Sequence, residues 1–160
     1  MSISQTPSPR SIRLSEEEAW DFVTKASIGI MTTLRRDGVP ISLPLWFACI
    51  DKTIYLNTRG KKLLRINHDA RASFLVETGE KWAELTAVHL TGKVATVEID
   101  AELRSRIRAQ MDEKYSALRT PIKTMPTKTA ETYSSGSKWV AFSADPRILS
   151  WDNSRIPTQG

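Results

Sequence analysis

The sequence predicts a small, mainly β domain: an antiparallel barrel with helices on its outside. Three observations support this fold class. Short apolar segments with a period of two recur along the chain. Turn residues such as Asp37-Gly38 and Asp51-Lys52 separate the first of these segments. The apolar phase of a later segment changes beside Gly92, which indicates the kind of bulge that closes barrels.

Length and composition bound the domain organisation. The 160 residues, 40% of them hydrophobic and 26% charged, are expected to form one globular domain over residues 14–160. A flexible tail is expected over residues 1–13, which are polar and contain Pro7 and Pro9. We find no signal peptide and no apolar run long enough to span a membrane, so neither export nor a membrane partner is expected.

The cysteine, the histidines and the net charge limit the kinds of site and partner expected for this chain. Cys49 is the single cysteine, which excludes an intramolecular disulfide and fits the cytoplasm. His68 and His89 lie on different predicted elements and no cysteine pair accompanies them, so no metal site is predicted. The net charge of +5 is scattered along the chain, and nucleic acid is therefore not an expected partner.

The N-terminal half is predicted to be a helix followed by an antiparallel meander. Ser15 and Glu18 form a capping box for a helix that ends near Lys25. Alternating apolar residues predict a strand over residues 41–50, and the Asp-Gly turn joins it to the strand before it as a hairpin. The three strands of this meander are predicted at residues 28–34, 41–50 and 53–57.

The second half is predicted to alternate strands with two further helices. A short helix is predicted at 61–67, and a longer one runs from the Asp100 cap to Leu118. Residues 121–136 contain two prolines and many hydroxyl side chains, so we expect a long loop there. The apolar stripe of the longer helix is Leu103, Ile107, Met111 and Leu118. Strands are predicted at residues 72–77, 82–99, 138–143 and 147–151.

One basic stretch is a candidate anion site. Arg59, Lys61 and Lys62 stand at the start of the predicted helix 61–67, beside Thr58 and the flexible Gly60. Cations in the first turn oppose the helix macrodipole at a cost of roughly 0.3–1 kcal/mol each. The free N–H groups of a helix start suit a phosphate. An anion-binding loop and a solvated basic turn are the two readings of this stretch.

An ordered set of segments resembles one known family. From about Ser15 to Arg155 the chain is similar to the pyridoxamine 5′-phosphate oxidase-like split-barrel flavoproteins. The resemblance is closest to the branch whose members use FMN or the deazaflavin coenzyme on small molecules. The segments that carry it are Pro44-x-Trp46-Phe47, the strand 53–57 with its threonine-containing loop, Lys62-x-x-x-Ile66-x-x-Asp69-x-Arg71, Trp82 to Lys93, and Asp145 to Asp152.

The resemblance implies a fold, a site and a reaction. It implies a six- to seven-stranded antiparallel split barrel that forms a homodimer, with FMN at the subunit interface and a small-molecule substrate. Lys62 is the best match among the phosphate contacts, because it lies in the family's lysine-to-arginine frame. The residues implied to contact the isoalloxazine are Pro44, Leu45 and Trp46. Those implied to contact ribityl and phosphate are Asn57, Thr58, Arg59, Lys61 and Lys62, with Trp151-Asp152 near the partner's site.

Alternatives to an FMN-dependent oxidoreductase stay open. A deazaflavin-dependent reductase of the same fold has similar requirements. A protein that carries a flavin or another flat, tetrapyrrole-like ligand without turnover would use the same barrel. A basic RNA-binding barrel is the third class, to which the scattered cations give little support. No catalytic side chain is identified, since the isoalloxazine itself transfers the hydride.

Overall fold

The computed structural model describes residues 11–134 and 136–157, and the predicted tail therefore lies largely outside the described residues. Within these residues, seven strands and four α-helices confirm the predicted fold class. The helices are α1 (Glu16–Lys25), α2 (Gly60–His68), α3 (Ala101–Tyr115) and α4 (Thr127–Ser134). The strands are β1 (Gly29–Leu34), β2 (Pro40–Leu45), β3 (Ala48–Ile50), β4 (Thr53–Thr58), β5 (Arg71–Thr78), β6 (Thr86–Thr96) and β7 (Lys138–Asp152).

The strands form one antiparallel sheet that curls into a split barrel, in the order β2-β1-β5-β6-β7-β4-β3. The predicted single strand 41–50 is wrong, because Trp46 and Phe47 interrupt it. Its first part pairs with β1 at one edge of the sheet, and its second part pairs with β4 at the other edge. The predicted meander is therefore two hairpins, and the chain crosses between the two edges at Trp46-Phe47.

A bulge bends the barrel where the sequence predicted one. The pairing of β6 with β7 shifts register between Leu90 and Gly92, whose partners are Ile148 and Ala144. A Cβ on Gly92 would lie 2.1 Å from the carbonyl oxygen of Ser143, so only glycine allows this close approach. The two predicted strands on either side of Asp145-Pro146 are in fact one strand, β7, which bends at the bulge instead of ending there.

The barrel interior holds the main core. Phe74 lies at its centre, with its ring centroid 4.9 Å from that of Phe47 and 5.9 Å from that of Phe142. Trp20 and Val23 of α1 are buried and belong to this cluster. A smaller cluster lies beneath α3. Each large side chain fully buried in this way contributes about 1.5–3 kcal/mol to stability.

The helices confirm the predicted caps and correct several predicted bounds. The capping box of Ser15 and Glu18 and the Asp100 cap are both present. The third helix ends at Tyr115, which is fully buried and takes the stripe position that we assigned to Leu118; that leucine is 60% exposed. A tyrosine hydroxyl can be buried where the backbone supplies its partners, and polarity alone did not reveal this.

Two further predictions are corrected. The loop predicted at 121–136 instead contains a 3-10 turn at Ile122–Thr124 and the helix α4, so the described residues form four α-helices where three were predicted. The predicted β segment 82–99 forms a strand only over β6, because Trp82–Glu84 is a 3-10 turn. No helix in the described part of the chain is long and apolar enough to span a membrane.

Candidate functional site

The β3–β4 hairpin relates two of the segments that the sequence singled out, the chain around Trp46 and the end of β4. Ala48 pairs with Tyr55, and the same register continued backwards would place Trp46 opposite Asn57. Pairing stops at Ala48, however, because β2 turns away to join β1. The chain before Ala48 and the chain after Tyr55 therefore diverge at the end of this hairpin. We call the place where they diverge the split. Pro44 and Leu45 end β2 and Trp46 follows them, while β4 ends at Thr58 and leads into α2.

The N-terminus of α2 differs from those of α1 and α3. Ser15 and Asp100 cap those two helices with side-chain oxygens. Arg59 occupies the corresponding position of α2 and makes no side-chain cap bond, and the first turn holds no acidic residue. Gly60 opens the helix with φ of +60°, a conformation that favours glycine. The first N–H groups of α2 thus have no side-chain cap, and the side chains beside them are cations. N–H donors and positive charge together are what an anion-binding site requires.

Lys62 is close enough to two other cations, Arg65 and Arg59, to be repelled by them. Burial, followed by repulsion from Arg65 and Arg59, holds the pKa of Lys62 below its ordinary value of 10.5. The side chain is half-buried, whereas the neighbouring Lys61 is exposed. Among the residues that the structure describes, no carboxylate forms an ion pair with Lys61, Lys62 or Arg65. A phosphate next to Lys62 would favour its charged form and so oppose the shift.

The opposite side of α2 carries further cations. A shallow cleft separates the helix from the β1–β2 turn and is lined by Arg35, Arg36, Lys61, Leu64 and Arg65. Arg65 Nε donates a hydrogen bond to Thr33 Oγ1 at 3.2 Å, which fixes the guanidinium against β1. Arg35 is paired with Asp37 at 2.6 Å. The positive region therefore extends from the split around the exposed face of the helix.

Arg59 contacts α4, the helix that the sequence analysis missed. Its guanidinium donates to the backbone carbonyl of Thr132 and lies 5.0 Å from the ring centroid of Tyr133. Side chains from the end of α4 thus meet a residue implied to bind phosphate. Of the residues of α4, only Ala130 is more than marginally shielded from solvent. The composition of residues 121–136 concealed this helix, since threonine and serine have weak helical preference.

Trp46 is held from one side by Tyr115. The two rings are stacked, with centroids 4.5 Å apart and planes 5° apart, and Trp46 remains 40% exposed. The next residue, Phe47, is covered by Lys114, whose Nζ lies 4.0 Å from the ring centroid. Burial lowers the pKa of Lys114 to about 8. Neither Lys114 nor Tyr115 was identified from the sequence, where α3 was assigned only a packing stripe.

The remaining predicted site residues are placed differently. Asn57 is exposed at the end of β4, and Thr58 is buried. Trp151 pairs with Ala87 near the end of β7 that is distant from Lys138, the partner of Thr58. One chain thus does not bring Trp151 to the split. Its predicted role, near the site of a second copy, stays a prediction.

The site's donor set and shape fit a phosphate-bearing ring. The α2 N–H groups and Lys62 supply positive charge just after β4 ends, and the Trp46 indole, which is stacked on Tyr115 and 40% exposed, supplies a flat apolar surface just after β2 ends. In the described part of the chain, no group of three His, Cys, Asp or Glu side chains is placed to hold a metal ion. The arrangement can therefore bind a flat group at one end and an anion at the other.

Comparison with known proteins identifies the family. The sequence profile named pyridoxamine 5′-phosphate oxidase matches residues 15–141, and the chain belongs to this family of split-barrel proteins. A comparison with curated proteins found no significant match.

Solved structures show the same fold. The conserved hypothetical protein Rv2991 of Mycobacterium tuberculosis is 28% identical, with a TM-score of 0.72 and 96% of each chain covered. A FAD-binding protein of Mesorhizobium loti is 16% identical, with a TM-score of 0.64 over 86% of this chain and 94% of that one. The heme storage protein HutZ of Vibrio cholerae is 13% identical, with a TM-score of 0.62 over 89% and 96%.

Proposed function

We propose that this protein is a flavin-dependent oxidoreductase that acts on a small molecule and binds FMN in the split of the barrel. The observations that carry the proposal are the uncapped, positively charged N-terminus of α2 and the partly exposed Trp46 indole stacked on Tyr115. Membership of the family and the FAD-binding protein among the structural neighbours support a flavin. The deazaflavin coenzyme is the alternative cofactor, because its ring and first phosphate place similar demands on the site.

Different residues of the chain would contact different parts of the cofactor. Lys62 and the first N–H groups of α2 would hold the phosphate, and Thr58 and Asn57 lie at the strand end where the ribityl chain would pass. Pro44, Leu45 and Trp46 would form the wall against the ring. When bound, the isoalloxazine supplies the hydride chemistry. The side chains position it and keep water from one face, which requires no acid–base pair.

The proposal includes a homodimer with the site at its interface. The outer face of the sheet carries a row of side chains across four strands: Ile30 pairs with Leu75, Leu75 with His89, and His89 with Leu149. Leu149 is 53% exposed in the single chain. A second copy placed against this face would cover these apolar groups, and obligate dimers use such surfaces.

A spectrum of the purified protein tests the proposal directly. We expect flavin absorption in the visible range, or restoration of it when FMN is added to protein stripped of cofactor. Titration should quench flavin fluorescence and raise the melting temperature, since a ligand that binds only the folded state stabilises it. The proposal fails if saturating FMN and the deazaflavin coenzyme both leave fluorescence and melting temperature unchanged.

A second candidate is a carrier of a flat ligand without turnover. It is favoured by two structural neighbours, a heme binding protein of Mycobacterium smegmatis and HutZ. A nicotinamide-driven reduction assay on the cofactor-loaded protein separates the two candidates. An oxidoreductase consumes the reductant when a substrate is supplied. A carrier binds its ligand but leaves the rate of reductant consumption at the background value.

A further inference from the structure

The crossing between β2 and β3 leaves backbone groups without a neighbouring strand, and α3 supplies their partners. Tyr115 Oη accepts a hydrogen bond from the Phe47 N–H and donates one to the Phe47 carbonyl, each at 3.0 Å. Gln110 does the same for Cys49: its Oε1 accepts from the N–H at 2.6 Å, and its Nε2 donates to the carbonyl at 3.0 Å. The end of α3 therefore replaces a strand along this edge.

The same tyrosine fixes the neighbouring indole. Its ring is fully buried and stacks on one face of Trp46, with centroids 4.5 Å apart and planes 5° apart. The hydrogen bonds to Phe47 fix the position of the phenol oxygen, and the packing around the fully buried ring fixes its plane, so the indole that lies on it has one preferred orientation. One face of Trp46 is thus occupied by protein, while the residue remains 40% exposed to solvent.

We infer that Tyr115 is a positioning residue of the cofactor site and acts through Trp46. The inference rests on the proposed function, since Trp46 must contact the bound ring for its orientation to matter. A wall that is already ordered loses no side-chain freedom when the cofactor arrives. Without the stack, Trp46 would be ordered only on binding. The expected loss is about 2- to 12-fold in affinity, the cost of immobilising one large side chain.

Two substitutions separate this role from a structural one. Tyr115→Phe keeps the ring and removes the hydroxyl, so the Phe47 backbone groups lose their partner while the stack on Trp46 stays. Tyr115→Leu removes both. We expect both variants to melt at a lower temperature than wild type. We expect only the leucine variant to lose the near-ultraviolet dichroism of the Trp46–Tyr115 pair, measured without cofactor and referenced to Trp46→Phe.

Cofactor affinity then decides the inference. Dissociation constants for FMN, or for the deazaflavin if that is the one bound, should be near the wild-type value for Tyr115→Phe and about 2- to 12-fold higher for Tyr115→Leu. A merely structural tyrosine predicts that affinity follows melting temperature in both variants. Equal affinity of Tyr115→Leu and wild type, or equal losses in the two variants, would overturn the inference.

The controls cover the remaining outcomes. If Tyr115→Leu does not fold, Trp46→Leu replaces it, because this exposed position can change while Tyr115 keeps its hydrogen bonds. Wild-type affinity in Trp46→Leu would show that the indole is irrelevant to binding and would equally overturn the inference. If wild type itself binds neither cofactor, the proposed function fails and this inference fails with it. Binding to wild type with no effect of the variants removes only the role of Tyr115.

Discussion

Replacement of Lys62 by alanine is the perturbation that tests the site most directly. In the structure the side chain of Lys62 is half-buried, and the charged groups that act on it are Arg65 and Arg59. Its ammonium group can therefore form an ion pair with a bound anion. A charge-assisted hydrogen bond contributes roughly 1.5–3 kcal/mol. Lys62→Ala should therefore weaken binding of FMN or of the deazaflavin by about 10- to 150-fold.

The stability of the protein without cofactor should respond in the opposite sense. Removing Lys62 relieves repulsion among three cations and an unfavourable charge at the start of α2, so the melting temperature of the cofactor-free variant should stay the same or rise slightly. A purely structural lysine would show the reverse pattern: reduced stability and unchanged affinity. The two measurements together distinguish a binding residue from a packing residue.

Lys52→Ala is the matched control, because it removes the same charge from the turn between β3 and β4. Lys52 pairs with Glu16 at 2.5 Å, but both side chains are more than half exposed, and such pairs contribute little. Dissociation constants for wild type and both variants should be measured at one fixed salt concentration, since screening changes the affinity for a phosphate. Equal affinities for all three proteins would show that Lys62 does not contribute to cofactor binding and that the basic stretch is a solvated turn.

Three further predictions concern the bulge, a buried lysine and the assembly. Gly92→Ala should lower the free energy of unfolding, measured in urea, by about 1–3 kcal/mol, because the added methyl would lie 2.1 Å from the Ser143 carbonyl oxygen. An unchanged urea midpoint would mean that the backbone of β7 moves aside at no cost. Because the folded pKa of Lys114 is about 8 and its ordinary value is 10.5, the unfolded chain binds more protons between these pH values, and stability should rise with pH across that window relative to Lys114→Met. Parallel pH profiles would refute this. Light scattering should give a particle of twice the 18.0 kDa chain mass, and a monomer at micromolar concentration would contradict the composite site.

Local sequence patterns predicted most of the strands and the caps, because these depend on neighbouring residues. The capping box at Ser15, the Asp100 cap and the bulge beside Gly92 were all confirmed. The break in the strand at Trp46-Phe47 was not predicted. The alternation of apolar residues continues across the break, and only the partners change from one edge of the sheet to the other. A period of two identifies a strand but carries no information about which strand lies beside it.

The residues of the candidate site fall into the same two groups: those with a local sequence signal and those whose contacts are distant in the sequence. The cations of α2 are visible in the sequence because they lie within four residues of one another. Tyr115 reaches Phe47 across 68 residues, and Arg59 reaches Thr132 across 73, so neither contact leaves a local signal. Such contacts depend on where α3 and α4 pack, which tertiary structure decides. Side chains that support a site from a distant segment are therefore the part that sequence patterns are least able to reveal.

The contrast among the three helices gives the strongest physical reason to regard the start of α2 as a binding feature. The same chain caps α1 with Ser15 and α3 with Asp100, so side-chain caps are available to it. At α2 it places Arg59 instead, and burial followed by repulsion from Arg65 and Arg59 depresses the pKa of Lys62. Both features oppose folding of the free protein, and one anion would reverse both, because it would accept from the helix N–H groups and restore the pKa of the lysine. Binding of the cofactor should consequently weaken as pH rises through the lowered pKa of Lys62, while a solvated basic turn would give no such dependence.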